Sequence, residues 1–319
     1  MNYRRGAGDV DHFIESEEIL TPLALVILAH ADPPQLRRLI AALPEAPVVL
    51  HCDARAPAAV FGAMTSGLAA RVRVIARQKT TLASWSLVSA ELAALREALR
   101  WTDARHVAVL SGADYPLVPM PELIARLREL GDRSWIANRP LPFPQWSTAR
   151  NPDGGLWRLR HRFVMRGDQI VFVRDVPLRW PRRREVPADV ALRACSQWKI
   201  YARRHAEALL RLVDRRPDLV RFWRTTLVPD ESFVASMLAS PKLIGTDVLE
   251  PCDFGAWYLD WNNDRPGHPR WLAEGDFDRL SAARRSAPAG HAGSAPLFAR
   301  KFRSADSALL DRLDVELLR

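Results

Sequence analysis

An unbroken apolar run, Leu23-Ala24-Leu25-Val26-Ile27-Leu28-Ala29, constrains this chain more than any other feature. It lacks the polar alternation of a strand with one face in water, and it is too short to span a bilayer. Closed by the turn-like Ala31-Asp32-Pro33-Pro34, it reads as a buried strand of a parallel sheet with helices on both faces. The pattern then repeats. Pro34 to Leu43 carries Leu36, Leu39, Ile40 and Leu43 at helical spacing, Pro44 stops it, and Val48 to Asp53 is a second strand ending on an aspartate. A helix over 56–64, a strand over 72–75, and a helix over 87–101 with Leu92, Leu95 and Leu99 on one face come next. A strand over 107–110 and a helix over 120–130 complete the series. Such alternation means α/β, with a doubly wound, mostly parallel central sheet. Ligands bind such sheets beyond the carboxyl ends of the strands, which singles out Asp53 and the loop from Ser111 to Asp114. No Gly-x-Gly-x-x-Gly or Walker loop follows a strand, so dinucleotide and P-loop chemistry have no support.

From Trp135 to about Pro187 the character changes to long loops with short strands, expected to cover one edge of the sheet. Prolines, tryptophans and arginines dominate there, with Arg158, Arg160, Arg162 and Arg166 interleaved with Trp157 and Phe163. The net charge of +9 rests largely on arginine, which the base composition of a GC-rich genome also favours. The stretch 157–184 therefore reads in three ways: a solvated basic surface, a rim for an anionic substrate, or a nucleic-acid-binding face. After a helix over 202–213, Val228-Pro229-Asp230-Glu231-Ser232-Phe233 is expected to end an extended segment and open a short apolar helix. A carboxylate in that first turn is expected to stay ionised, as a general base must be. The same three residues also suit plain capping. Beyond Ser240 the chain is loop-rich, 281–296 reads as mobile, and a helix over 307–318 closes it.

Three cysteines (Cys52, Cys195, Cys252) form neither a metal motif nor a disulfide framework, which points to a reducing compartment. Asp9-Val10-Asp11 lies in the leader and Asp276-Phe277-Asp278 in a late helix; neither pair follows a core strand, so both read as solvated and no metal is expected. His30 and His51 read as satisfied core histidines, Trp85 and Trp198 as core anchors. Residues 1–20 form a polar leader without signal-peptide features, and 21–319 a single domain whose halves divide near residue 135. The expected location is cytoplasmic, at most peripheral to the inner membrane.

Several pieces occur in a distinctive order: Leu28-Ala29-His30-x-Asp32-Pro33, His51-Cys52-Asp53, Ala83-Ser84-Trp85, Ser111-Gly112-x-Asp114-Tyr115-Pro116-Leu117, Ser196-Gln197-Trp198, Pro229-Asp230-Glu231-Ser232-Phe233 and Leu297-Phe298-Ala299-Arg300-Lys301-Phe302. Together they resemble the core-2/I-branching β-1,6-N-acetylglucosaminyltransferase family, which also holds the protein O-xylosyltransferases. The resemblance implies a GT-A-type glycosyltransferase fold and an inverting transfer of a sugar, N-acetylglucosamine or xylose, from a UDP-sugar to a hydroxyl without a divalent metal or other cofactor. By the same resemblance Glu231 is the catalytic base, Asp53 with Val26 contacts the nucleoside, and Arg270 and Lys301 contact the diphosphate. Asp114, Arg162, Ser196, Gln197, Trp198 and Asp230 are candidates for lining the donor or acceptor site. Eukaryotic relatives carry an N-terminal membrane helix and disulfides; this chain shows neither and reads as a bacterial-type member. The acceptor is a glycan, a lipid-linked glycan or a protein hydroxyl. Two other classes stay open: a nucleic-acid-binding protein using 157–184, and a silent glycan-binding relative.

Overall fold

The computed structural model describes residues 22–167, 169–262, 268–286 and 295–319. The leader with Asp9-Val10-Asp11, Asn263, and residues 287–294 of the Ala/Gly/Ser/Pro-rich stretch lie outside the described residues. In chain order the first half comprises β1 (Leu23–Ala29), α1 (Pro33–Ala42), β2 (Val48–Cys52), α2 (Ala58–Thr65), β3 (Val72–Val74), α3 (Trp85–Trp101), β4 (His106–Ser111), β5 (Asp114–Pro116) and α4 (Met120–Leu130). Short elements follow: β6 (Asn138–Pro140), α5 (Trp157–Arg160), β7 (His161–Phe163), β8 (Met165–Arg166), β9 (Gln169–Ile170), β10 (Phe172–Val173), β11 (Val176–Pro177), β12 (Arg179–Arg183) and β13 (Arg193–Cys195). Then come β14 (Lys199–Ala202), α6 (Arg203–Arg215), α7 (Pro217–Arg224), α8 (Phe233–Leu238), α9 (Pro241–Ile244), β15 (Trp257–Leu259), α10 (Phe277–Ala283), β16 (Phe298–Arg300) and α11 (Ser307–Glu316).

The apolar run is the hub of the central sheet. Strand order is β14-β4-β1-β2-β3, with β1 parallel to both β2 and β4, and β14 antiparallel at the edge. Side chains alternate across a strand, so the run feeds two cores at once. Leu23, Leu25, Ile27 and Ala29 pack with residues of α1, α4 and α11; Ala24, Val26 and Leu28 pack with residues of α3, α6 and α8. The turn after β1 is set by Asp32, in the left-handed region at φ 52, whose carboxylate caps α1 by accepting from the Gln35 N–H at 3.3 Å. Its second oxygen accepts from the Ser304 N–H at 2.8 Å, which ties the C-terminal segment to this strand end.

A second sheet, β15-β16-β5, grows from the end of β4. β5 was not evident in the sequence, where Ser111 to Leu117 reads as a loop. The tight passage needs Gly112: a Cβ there would sit 3.3 Å from that of Ala29, while the Gly112 N–H donates to Leu28 O. Further on, α7 is also unforeseen, and Pro229–Glu231 is a 3-10 turn after it rather than the end of an extended segment. The Arg/Trp-rich ribbons do not extend the central sheet. β7 pairs with β12, β8 with β9, and β10 with β11, while Trp135 alone bridges to the edge strand at Ile200.

Beneath the second core lies a buried ion pair. The Lys199 ammonium of the edge strand donates to both Glu91 oxygens of α3 at 3.0 Å, and the Tyr201 hydroxyl donates to Oε1 at 2.5 Å. None of the three is more than 1% exposed. Removing one member of such a pair strands a charge in a medium that cannot solvate it. Glu91→Ala is therefore expected to cost about 3–5 kcal/mol in urea unfolding, and Glu91→Met with Lys199→Met to recover most of it. A single variant as stable as the parent would mean the pair is not closed in solution.

Candidate active site

Three segments converge beyond the carboxyl ends of β1 and β2. The first is Asp53, whose N–H donates to Ala29 O at 2.8 Å, so the residue is stitched to the end of β1. Both carboxylate oxygens are engaged. Oδ1 accepts the Arg55 N–H at 2.8 Å, and Oδ2 accepts the Arg55 guanidinium at 2.8 Å and the Thr80 hydroxyl at 2.7 Å. Burial alone would raise the pKa of this carboxyl, but the Arg55 and Thr80 bonds overcome it and hold the group well below the usual carboxylate range. The Arg55 side chain is half exposed, so this clamp faces solvent.

The second segment follows β16. His30, Asp53, Arg55, Arg300 and Lys301 lie close enough for the last four to act electrostatically on the His30 ring. Burial first, and the three cations after it, outweigh Asp53 and lower the pKa of His30, so its ring is neutral at neutral pH. Arg300 donates to Asp114 Oδ1 at 2.8 Å and to the Ser111 hydroxyl, and its guanidinium lies 4.1 Å from the centroid of Trp198. The Lys301 ammonium stands 5.0 Å from the centroid of Trp271. Lys301 and Arg270 are neighbours through the backbone: Leu272 N–H donates to Lys301 O at 2.8 Å and Lys301 N–H to Arg270 O at 3.4 Å.

The third segment carries Glu231. Its Oε2 accepts from Arg158 at 2.9 Å, and its side chain is 35% exposed. The turn that carries it begins at Val228, a β-branched residue at φ 52, a conformation that costs about 1–3 kcal/mol and persists only where the surroundings impose it. They do so here. Val228 N–H donates to Ala83 O at 3.0 Å, and Phe233, just after the turn, packs edge-on against Trp85 and Trp223 with centroids 4.9 and 5.4 Å away. The Trp223 indole N–H donates to the Ser232 hydroxyl at 3.2 Å. One loop joins this segment to the first: Thr80 touches Asp53 and Ala83 touches Val228, three residue steps and at most about 11 Å apart.

Burial raises the pKa of Glu231, and Arg158 pulls it back. Asp230 is raised too, by burial first and by Glu231 second; it is 3% exposed and its Oδ1 has no hydrogen-bond partner. A helix N-terminus was expected to keep the Glu231 charge in place. The counter-charge is instead Arg158, because α8 starts only at Phe233 and no helix N–H reaches the carboxylate.

Other expectations need correcting. Val26 sits in mid-strand opposite Val49, fully buried in the second core, so its side chain meets no ligand; Ala29 is the residue beside Asp53. Asp114 is 0% exposed and lines nothing; it receives Ser111, Arg300 and the Trp257 indole N–H at 3.3 Å. Arg162 lines an open cleft with Trp180 and Arg221, and Glu231 is not part of that lining. Arg270 is forked between Asp260 and Asp276, and Arg279 shares both, so the two arginines and two carboxylates balance one another within the cluster. Asp276 is for the same reason a buried ion-pair member and not a solvated residue, while Asp278 is exposed. Ser196 and Trp198 do line a cavity of about 450 Å³ with Trp257, Tyr258 and Trp261, and Gln197 is half-buried beside them. His51 is a satisfied core histidine, accepting from Gln78 N–H at 3.2 Å. Arg158 and Arg300 are the site residues that sequence reasoning missed. Nothing sets Arg158 apart from its arginine neighbours, whereas Arg300 is signalled by a basic pair at a strand end.

Among the described residues no three His, Cys, Asp or Glu side chains gather as a metal site, and no helix is long and apolar enough to cross a membrane. A family model described as Core-2/I-Branching enzyme matches residues 23–280. Among curated proteins none matches. One similar solved structure, described as a glucose-1-phosphate thymidylyltransferase from Bacillus anthracis in complex with sucrose, shares 9% identity with a TM-score of 0.34, over 84% of this chain and 97% of that one. At that score the likeness carries no argument.

Because the folded-state pKa of Asp230 lies above its value in the unfolded chain, the fold favours the protonated carboxyl. Its contribution is present at acid pH and is lost as pH rises through the folded-state value. Asp230→Asn is expected to raise stability by about 1–3 kcal/mol near pH 8, and the gain should vanish toward pH 4, as read from urea melts at both. A less stable variant at the higher pH would show that the Asp230 charge is compensated.

Proposed function

The chain belongs to the core-2/I-branching enzyme family and is a glycosyltransferase, and from that premise we propose an inverting, metal-independent transfer from a UDP-sugar with Glu231 as general base. The observation that carries this reading is the Glu231 carboxylate itself: partly exposed, held at 2.9 Å by Arg158, on a strained turn one short loop from Asp53. The acceptor hydroxyl gives its proton to Glu231 as its oxygen attacks the anomeric carbon. The bond from that carbon to the diphosphate breaks in the same displacement, and the electron pair leaves with UDP. A base that does this work must be ionised yet basic enough to hold the proton. Burial supplies the basicity and Arg158 the ionisation.

At the other end of the site, charge develops on a phosphate oxygen, and fixed cations there lower the barrier. Lys301 and Arg300 flank His30 and Asp53 and are the cations we assign to the diphosphate. Arg270, held by the carboxylates it shares with Arg279, acts on this reading as the brace that sets the backbone of Lys301. The nucleoside lies against Asp53, where the half-exposed Arg55 clamp is the part that a ligand displaces. The sugar transferred is N-acetylglucosamine or xylose.

Glu231→Gln is expected to lower transfer or donor hydrolysis at least ~100-fold while UDP affinity changes little. The measurement is UDP release from a panel of UDP-sugars, for both proteins, with and without EDTA. Lys301→Ala is expected to weaken UDP binding by roughly tenfold. Retained turnover in Glu231→Gln would remove the base assignment, and loss of wild-type activity with EDTA would remove the metal-free diphosphate site.

A further inference from the structure

Ten large apolar side chains stand exposed among the described residues, and five of them, Phe172, Val173, Val176, Leu178 and Trp180, fall within residues 172–180. Scattered singly, such residues mean nothing; concentrated, they mark a surface that something covers. β10 and β11 form a two-residue hairpin with Phe172 opposite Pro177 and Val173 opposite Val176. Its turn residues, Arg174 and Asp175, both adopt positive φ, the geometry that matches strand twist in a tight hairpin. Side chains alternate along each strand, so Phe172 and Val173 face opposite sides of the ribbon, and both are about half exposed. Neither face is packed by the protein.

The charge around this tip is one-sided. Residues 161–185 hold seven arginines against Asp168, Asp175 and Glu185. Among the described residues no carboxylate pairs with Arg162, Arg166, Arg174, Arg179, Arg182 or Arg183, although arginines elsewhere, such as Arg38, Arg216 and Arg270, are doubly paired. Where β12 and α7 meet, an open cleft of about 950 Å³ is lined by five arginines, among them Arg162, Arg182, Arg183 and Arg221, against two carboxylates, Glu185 and Asp218, of which Asp218 is already taken by Arg216. An apolar tip followed by unpaired arginines matches the profile of a bilayer interface: acyl boundary first, headgroup phosphates behind it. Nucleic acid would use the arginines and stack on Phe172 and Trp180, but it has nothing to offer Val173, Val176 and Leu178, the aliphatic side chains exposed beside them.

We propose that residues 172–183 dock the protein on an anionic membrane, Phe172, Val173 and Val176 entering the interfacial layer while the arginines of β7 and β12 take headgroup phosphates. The root of the hairpin explains what docking achieves. Ile170, at its base, packs with Phe163 and Leu227 against Val228 and Ala83, and its N–H donates to the Ser84 hydroxyl at 3.3 Å. That cluster is the one that holds the turn of Glu231. On the reading of Glu231 as the base, docking through this hairpin holds its turn near the membrane surface, and the acceptor class that this selects is lipid-linked.

The test is flotation of the full chain with phosphatidylcholine vesicles, with and without about 30% phosphatidylglycerol. Binding to the anionic vesicles alone, weakening as salt rises, is expected. Phe172→Ser with Val173→Ser, and separately Arg182→Ala with Arg183→Ala, should each reduce it roughly tenfold or more, with unchanged circular dichroism and unchanged UDP release. No partition into anionic vesicles would overturn the proposal. So would partition indifferent to the tip variant, or competition by a single-stranded oligonucleotide that only the arginine variant abolishes. The vesicle readout needs no turnover, so its failure leaves the donor-site reading standing and is distinguishable from failure of that reading.

Discussion

Asp114 is the buried charge on which the site's geometry hangs. It lies fully inside the protein and accepts from the Ser111 N–H at 2.8 Å, the Ser111 hydroxyl at 3.0 Å, Arg300 at 2.8 Å and the Trp257 indole at 3.3 Å. Those donors come from the end of β4, from β16 and from β15, so one carboxylate locks the second sheet to the first. A buried carboxylate tolerates this position only while fully bonded. The same bond fixes the plane of Arg300 over Trp198, whose backbone N–H donates to the Ser196 hydroxyl, and the neighbouring Cys195 thiol donates to Asp230 O. The second sheet, three short strands with little core of its own, makes physical sense as the frame that brings Arg300 and Lys301 to the ends of β1 and β2.

The two ends of the site shift their carboxylates in opposite directions. Asp53 is driven toward the charged form by an arginine and a hydroxyl, against the effect of its burial. Burial raises the pKa of both Asp230 and Glu231, the Glu231 charge raises Asp230 further, and Arg158 opposes the shift of Glu231. Pairs of titratable groups whose environments push them apart mark a division of labour in acid–base sites. Here the ionised end is suited to holding a ligand by fixed hydrogen bonds, and the raised end to taking up a proton. Strain at Val228 and the unpartnered Oδ1 of Asp230 fall at the second end, where stability is given up.

Most of the α/β scaffold was legible from the chain, because its signals are long. The run at β1, the helical spacing of α1 and α3, and the Pro44 that stops α1 survive any reasonable context. The second sheet was not legible: β5, β15 and β16 are three residues each, too short for a period, and their pairing is imposed by Asp114. α7 was hidden because Pro217 reads as a breaker, whereas it stands at the first helical turn. Asp53 and Glu231 are singled out by their motifs, and the structure places them one short loop apart. Val26 and Asp114 were misread for one reason: a motif marks which residues occur together, and burial decides which of them reach solvent. Arg158 was invisible because four arginines in a row of nine residues are equivalent until a fold selects one.

Base composition explains why this chain is rich in arginine, and it would have been reasonable to dismiss the basic stretch on that ground. Composition alone predicts that arginines scatter and that each finds whatever carboxylate lies nearby. Elsewhere many do so: Arg38 reaches Asp311 and Asp314, Arg216 reaches Asp189 and Asp218, and Arg270 reaches Asp260 and Asp276, while others such as Arg105, Arg128 and Arg215 stand singly without a carboxylate among the described residues. On the ribbons from β7 to β12 none does among the described residues, and there the unpaired guanidiniums coincide with the densest exposed apolar cluster of the described surface. A bystander of base composition has no reason to separate charge from counter-charge beside exposed valines. Surfaces that do both at once are costly to keep in water, since each half invites association. Their adjacency to the Glu231 turn ties that cost to the chemistry.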